Sequence, residues 1–486
     1  MHTAPSHQPP RPLVAAGSPL PETHTSGSPG TDTAGSLLWI KDPAGIHTSS
    51  RRSVDASRGL VVNTRTGAIV ELVAAGVEPT RHDRVLDASA HVVLPGLINT
   101  HHHFYQTLTR AWAPVADAEL FPWLQGLYPV WARLTPDALE SAVTVAIAEL
   151  LLSGCTTAAD HHYVFPAGLE ESVDIEADVV QRLGARAMLT RGSMSLGQDD
   201  GGLPPQSTVQ DHDAILEDSR RVVETFHQRD EAARIRIGLA PCSPFSVTRE
   251  LMRDTAQLAS ELDVRLHTHL AETIDEEDFC RERFGLRTVD YLESVGWLSS
   301  RTWLGHAIHL DDSEVARLGA ASVGVAHCAT SNMRLGSGTC RALELEEAGS
   351  PVGLGVDGSA SNDGSNMIEE VRAALNIQRL AAGPARVPVA RALNWATRGS
   401  AAALGWEGIG VLEPGARADL AMFTLDELRF AGAHDPVAAL VLCGAHRADR
   451  VMVDGRWVME DGALAGQDLE RIIARQREQA RLLMRG

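Results

Sequence analysis

His101 and His103 stand two residues apart in the stretch LINTHHHFYQ. On an extended strand, residues i and i+2 share a face, so these two imidazoles point one way and His102 the other. Two imidazoles on one face can hold a single cation. Later in the chain HTHLAE supplies His269 and Glu272, GHAIHL supplies His306, and GVDGSA supplies Asp357. Of these, His101, His103 and His269 with Asp357 make three imidazoles and a carboxylate, which suit Zn(II) or Fe(II) with one position left open for water. The chemistry of such a set is hydrolysis. A bound divalent ion can bring the pKa of water from ~15.7 to about 7, and a nearby carboxyl can move protons.

Those residues must be brought together by something. Eight strand-like runs punctuate the middle of the chain: VVLPGLINTHHH, GCTTAADHH, ARAMLTRGS, RIRIGLAPCSP, VRLHTHLAE, TWLGHAIHL, VGVAHCATS and VGLGVDGSA. Helix-like stretches separate them. In TPDALESAVTVAIAELLLSG, Thr135 reads as the N-cap, Pro136 as the first helical residue and Gly154 as the stop. Leu139, Val143, Ile147 and Leu150 or Leu151 recur at helical spacing and predict one buried face. A second helix is predicted to start at Thr248. Eight strand–helix units predict an α/β fold, a (β/α)8 barrel, whose active site gathers at the C-terminal ends of the strands. The polar candidates sit at such ends.

The barrel is expected over residues 96–400. Short strands with turns fill 36–95 and return in 401–465, which predicts one small flanking β-sandwich built from both segments. Residues 1–35, rich in Pro, Ser, Thr, Gly and His without an apolar core, are expected to be a disordered leader rather than a secretory signal. A C-terminal helix is expected over 466–486.

With 63 acidic against 43 basic residues, the formal net charge is -20. Such a surface repels phosphate backbones and argues against a nucleic-acid polymer as partner. No apolar run is long enough to span a membrane. The six dispersed cysteines form no CxxC pair and read as reduced thiols of a cytoplasmic protein. Long barrel loops and an added β-domain offer surfaces for a homo-oligomer.

PGLINTHHH, HTHLAE, GHAIHL and GVDGSASND resemble the metal motifs of the amidohydrolase superfamily, in its deaminase and chlorohydrolase branch. The resemblance runs over nearly all the chain beyond the leader, including GVLEPGARADLAMF. YQTLTRAWAPVADAELFPWL, TRGSMSLGQDDGGLPP, APCSPFSVTRELM and FAGAHDPVAALV are similar to members that deaminate oxidised purine bases, and in part to members that hydrolyse hydroxylated s-triazines. The resemblance implies His101, His103, His269 and Asp357 as ligands of one metal. It implies Glu272 as proton shuttle, Asp357 as a further proton acceptor and His306 as the group orienting the attacking oxygen. Branches that bridge two metals with a carboxylated barrel lysine are excluded, because the only lysine is Lys41, outside the barrel.

The implied substrate is a small aminated heterocycle. Gln106, just past the ligand strand, can pair with a lactam edge through one donor and one acceptor. Arg191 resembles an arginine that related deaminases turn toward a purine carbonyl, and Tyr105 is expected to bound the pocket. The Gly- and Pro-rich stretch after Ser193 is expected to cover the mouth. His102, His161, His162 and His309 read as ordinary hydrogen-bonded histidines. His267 shares parity with His269 and reads as a core histidine bonded to backbone. His327 either touches substrate or is structural. Asn332 and Arg334 read as loop-stabilising, and Cys155 and Cys242 as inert buried thiols.

Overall fold

The computed structural model describes residues 36–485, so the leader expected over 1–35 lies outside the described residues. The eight runs form the eight parallel strands of one closed barrel: β1 (Leu97–Asn99), β2 (Cys155–Ala159), β3 (Arg186–Ser193), β4 (Ile235–Pro241), β5 (Arg265–Leu270), β6 (Thr302–His306), β7 (Gly324–His327) and β8 (Val352–Leu354). Leu354 of β8 pairs with Asn99 of β1 and closes the ring.

The helices between strands start where their capping residues require. Thr135 accepts a hydrogen bond from the Ala138 N–H, and Pro136 opens Pro136–Leu152 without a lost donor. Leu139, Val143, Ile147, Leu150 and Leu151 are buried along that helix. Thr248 caps Arg249–Leu262 in the same way. The main core fills the layer between strands and helices.

Two sheets flank the barrel. One orders Ala68–Leu72, Gly59–Asn63, Leu37–Lys41 and Arg84–Asp87. In the other, Leu420–Thr424 pairs antiparallel with His91–Pro95, so the two ends of the chain share a ladder. Leu38, Ile40, Leu60 and Val62 of the first sheet pack with Val93, Leu420, Met422 and Met452 of the second in one core, which makes the pair a small sandwich. Its link to the barrel floor is a buried ion pair: Arg186 Nε and Nη2 reach Asp419 Oδ2 and Oδ1 at 2.9 and 3.2 Å. A last helix, Leu469–Arg485, packs on Pro136–Leu152. Among the described residues, no helix is long and apolar enough to cross a membrane.

Candidate active site

Beyond Asn99 the chain of β1 runs on extended, held by Thr100 N–H to the Leu354 carbonyl and Asp357 N–H to the His101 carbonyl. That carries His101 and His103 to the barrel mouth, where His269 from the end of β5 meets them. Each imidazole is fixed through Nδ1. His103 Nδ1 donates to the His161 carbonyl and His269 Nδ1 to the Cys242 carbonyl, both at 2.7 Å. His267 Nδ1 donates to the Trp303 carbonyl at 2.8 Å, so its Nε2 is an acceptor for His101 Nδ1 at 2.7 Å.

All three ligand candidates therefore present an Nε2 lone pair. Those of His103 and His269 face each other at 3.1 Å, and His101 Nε2 is buried with no hydrogen-bond partner. Asp357 Oδ1 lies 3.4 Å from His101 Nε2 and 3.3 Å from His103 Nε2. Converging lone pairs and a carboxylate repel one another unless a cation sits between them. Ligand atoms ~2.1 Å from a shared ion at tetrahedral angles stand about 3.4 Å apart, so the observed separations fit one divalent metal. Burial holds the His101 and His269 imidazoles well below their ordinary pKa, in the neutral form a metal needs.

Asp357 and His306 both have left-handed backbone, with φ of 64° and 68°. Such strain in non-glycine residues is concentrated at functional sites, where surrounding bonds hold it. The Ser331 and Ser361 hydroxyls donate to Asp357 Oδ2 at 2.6 and 3.1 Å. Burial alone would raise the Asp357 carboxyl, but His101 and His103 outweigh it and hold the pKa well below the usual range. His306 Nδ1 donates to Asn332 Oδ1 at 2.9 Å, and its Nε2 faces Glu272 Oε2 at 3.5 Å and Asp357 Oδ2 at 4.0 Å. Burial opposes charge on His306, yet Glu272 and Asp357 prevail and raise its pKa. Burial also raises the Glu272 carboxyl, making it a better proton carrier near neutral pH.

His103, His269, Glu272, His306 and Asp357 line one cavity, with Gln106 on its wall. Gln106 Oε1 accepts from Ala360 N–H at 3.4 Å, while Nε2 is buried without a partner. Gly358 makes room for it, because a Cβ there would stand 1.9 Å from Gln106 Oε1. The remaining wall is apolar and aromatic: Leu120, Trp123, Leu124 and Tyr128 from the helix Leu120–Trp131, with Tyr163 and Phe245.

Two substrate expectations are corrected. Arg191 does not reach the cavity. Its side chain points from β3 into the helix layer, with Nε bonded to Asp218 Oδ2 at 2.6 Å and Nη2 to Gln210 Oε1 at 2.9 Å. Its guanidinium also covers the Phe165 ring at 3.9 Å, and neither residue lines the cavity. Tyr105 stands one layer back, edge-on to Tyr163 at 5.9 Å, and supports the wall rather than forming it. The segment after Ser193 bonds to the Phe245 and Ser246 carbonyls and so braces Phe245.

Among the other histidines, His102 turns away to Ser365 Oγ at 2.9 Å, and His327 meets Gln378 outside the cavity. Sequence reads His267 and Asn332 as structural, and the structure gives each a hydrogen bond to a site imidazole. For His267 the shared parity with His269 was the available signal. For Asn332 there is none, since it lies on the helix Ala329–Leu335 and its partner His306 ends β6. The run LFPWLQGLYPVW of the cavity helix marks an apolar, aromatic helix, but nothing local to it separates a substrate wall from core.

A closed eight-stranded barrel with imidazoles and a carboxylate converging at its C-terminal mouth is the architecture of a metal-dependent hydrolase. The Amidohydrolase family model matches residues 92–458, and the chain belongs to that family. It is similar to the 8-oxoguanine deaminase of Pseudomonas aeruginosa, with 63% identity over 452 residues, 93% of this chain and 100% of the relative. Hydroxydechloroatrazine ethylaminohydrolase of a Pseudomonas species is 35% identical over 82% of this chain and 84% of its own length. Among solved structures, atrazine chlorohydrolase of Arthrobacter aurescens TC1, complexed with zinc, superposes with a TM-score of 0.86 at 31% identity, covering 91% of this chain and 100% of that one.

Proposed function

We propose that this chain is an 8-oxoguanine deaminase: water adds at C2, the exocyclic amine leaves as ammonia, and urate is the product. The full-length likeness to the Pseudomonas aeruginosa enzyme is the observation that carries this reading. The cavity agrees with it, since flat aromatic walls suit a planar base and the free Gln106 amide suits a ring carbonyl.

His101, His103, His269 and Asp357 would hold the metal, which we read as zinc with iron(II) as the alternative. Bound there, it supplies polarisation that makes water nucleophilic near neutral pH. Asp357, ionised and steadied by two serines, accepts the proton released as the C–O bond forms. His306, fixed by Asn332, orients the attacking oxygen and stabilises charge as it develops. Glu272 delivers a proton to the ring nitrogen beside C2. As the C–N bond breaks, the proton held by Asp357 passes to the departing amine and the C2 hydroxyl returns its proton to Glu272, leaving the carbonyl of urate and both carboxyl groups as they began. Gln106 Nε2 donates to a substrate carbonyl and sets the ring's orientation.

Ammonia release from 8-oxoguanine, guanine, isoguanine and a hydroxyatrazine tests this. Fast turnover of 8-oxoguanine is expected. Turnover of the triazine without 8-oxoguanine would move the chain to the s-triazine aminohydrolases, whose likeness over most of the chain makes them the second reading. We also read the protein as a cytoplasmic homo-oligomer with no nucleic-acid polymer as partner. Its six free cysteines, five of them buried, and its acidic balance support this, and light scattering on the purified chain checks its size.

A further inference from the structure

At the opposite mouth of the barrel, the N-terminal ends of β4, β5 and β6 open into a wide cleft. Its wall carries four guanidinium groups, Arg229, Arg236, Arg265 and Arg301, against one carboxylate, Asp263. In a chain of formal charge -20, that local excess of positive charge runs against the rest of the composition.

Asp263 is already engaged, 2.9 Å from Arg301 and 3.6 Å from Arg229. Arg265 and Arg236 have no carboxylate partner among the described residues. Arg265 is held by the Ser300 and Ala403 carbonyls, both at 2.5 Å. Arg236 bonds the Gly405 carbonyl at 3.3 Å and lies over the Trp406 ring at 4.5 Å. Asp230 and Glu407 are the acidic groups near Arg236, beyond the cleft wall. Burial and the neighbouring Arg301 hold the Arg265 pKa down to about 10, still cationic at neutral pH but short of an anion. His227, also on the wall, is kept neutral by burial and by Arg229.

Guanidinium groups with fixed planes and no internal counter-ion are what phosphate oxygens bind best. We infer that this cleft binds a small polyanion bearing a phosphate chain, inorganic pyrophosphate or the phosphates of a nucleotide, at a site separate from the deaminating cavity. Backbone carbonyls hold the arginines in place before the ligand arrives, so little side-chain entropy is lost on binding.

The test is calorimetric titration of the metal-loaded full chain with inorganic pyrophosphate at fixed ionic strength. One saturable site per chain is expected. Arg265→Gln and Arg236→Gln should each weaken it by about ten-fold or more, and Arg229→Gln, at the exposed rim, by less. Heat from metal chelation is common to all variants and cancels in the comparison. Ammonia release should be unchanged in each, and Arg236→Gln carries the test if Arg265→Gln folds poorly. A nucleoside triphosphate titrated in parallel separates the sources: tighter binding than pyrophosphate assigns a nucleotide, equal or weaker binding a bare phosphate chain. The inference fails if pyrophosphate gives no saturable binding, or if all variants bind it equally.

Discussion

His267 Nε2 lies 2.7 Å from His101 Nδ1, while its own Nδ1 donates to the Trp303 carbonyl at 2.8 Å. This relay runs from the backbone of β6 through one imidazole to another and leaves His101 a single way to face the mouth: Nε2 first, as a lone pair. A partner that fixes the tautomer of a ligand histidine typically contributes about 10–100-fold in metal affinity.

His267→Phe keeps a flat ring to stack on Trp303 but removes the acceptor. Metal affinity, measured by chelator competition, should fall about 10–100-fold with the fold retained. Turnover should recover with excess metal. Unchanged affinity would mean that His267 is only packing.

Glu272→Gln keeps the shape of the side chain and removes its transferable proton. The turnover number should drop by about 10²–10⁴-fold while metal content stays at the wild-type level. Normal deamination by this variant would end the proton-shuttle assignment.

Gln106→Leu removes the one amide donor in the cavity that has no protein partner. A lost hydrogen bond of about 1–3 kcal/mol predicts kcat/KM for 8-oxoguanine reduced by about 5–150-fold, with the metal still bound. Equal kcat/KM would place the recognition of the substrate carbonyl elsewhere.

Arg191→Leu should act on stability, not on substrate. It leaves Asp218 short of a partner and empties the face of Phe165, so the melting temperature should fall. KM should stay at the wild-type value, and a selective rise in KM would return Arg191 to the substrate side.

Glu176 provides a pH test away from the ligands. It is fully buried beside Asp160 and His162, and burial lifts its pKa from 4.5 to about 8. The folded chain therefore holds this proton more tightly than the unfolded one. Its contribution to stability falls as pH rises from about 4.5 to about 8, by at most ~1.4 kcal/mol per pH unit, and is level above that. In Glu176→Gln the melting temperature should decline less steeply across this window. Identical slopes would show that Glu176 titrates normally.

Much of the architecture could be read locally. Capping at Thr135 and Thr248 is a short-range preference, and each helix starts where its cap places it. The aromatic wall from Leu120–Trp131 was not legible in this way. An apolar helix in an α/β protein reads equally as core, and only its position over the barrel mouth turns Trp123 and Tyr128 toward substrate.

Sequence by itself determined the eight strands of the barrel and the placement of His101, His103, His269, His306 and Asp357 at strand ends. Period-two alternation and the order of polar residues along strands are properties of the chain alone. Tertiary structure decided which neighbours those residues keep. It sent Arg191 into the helix layer, set Tyr105 behind Tyr163, and made His267 and Asn332 partners of His101 and His306. Such pairings join strands and helices far apart in the chain, and depend on barrel register and packing that no local pattern encodes.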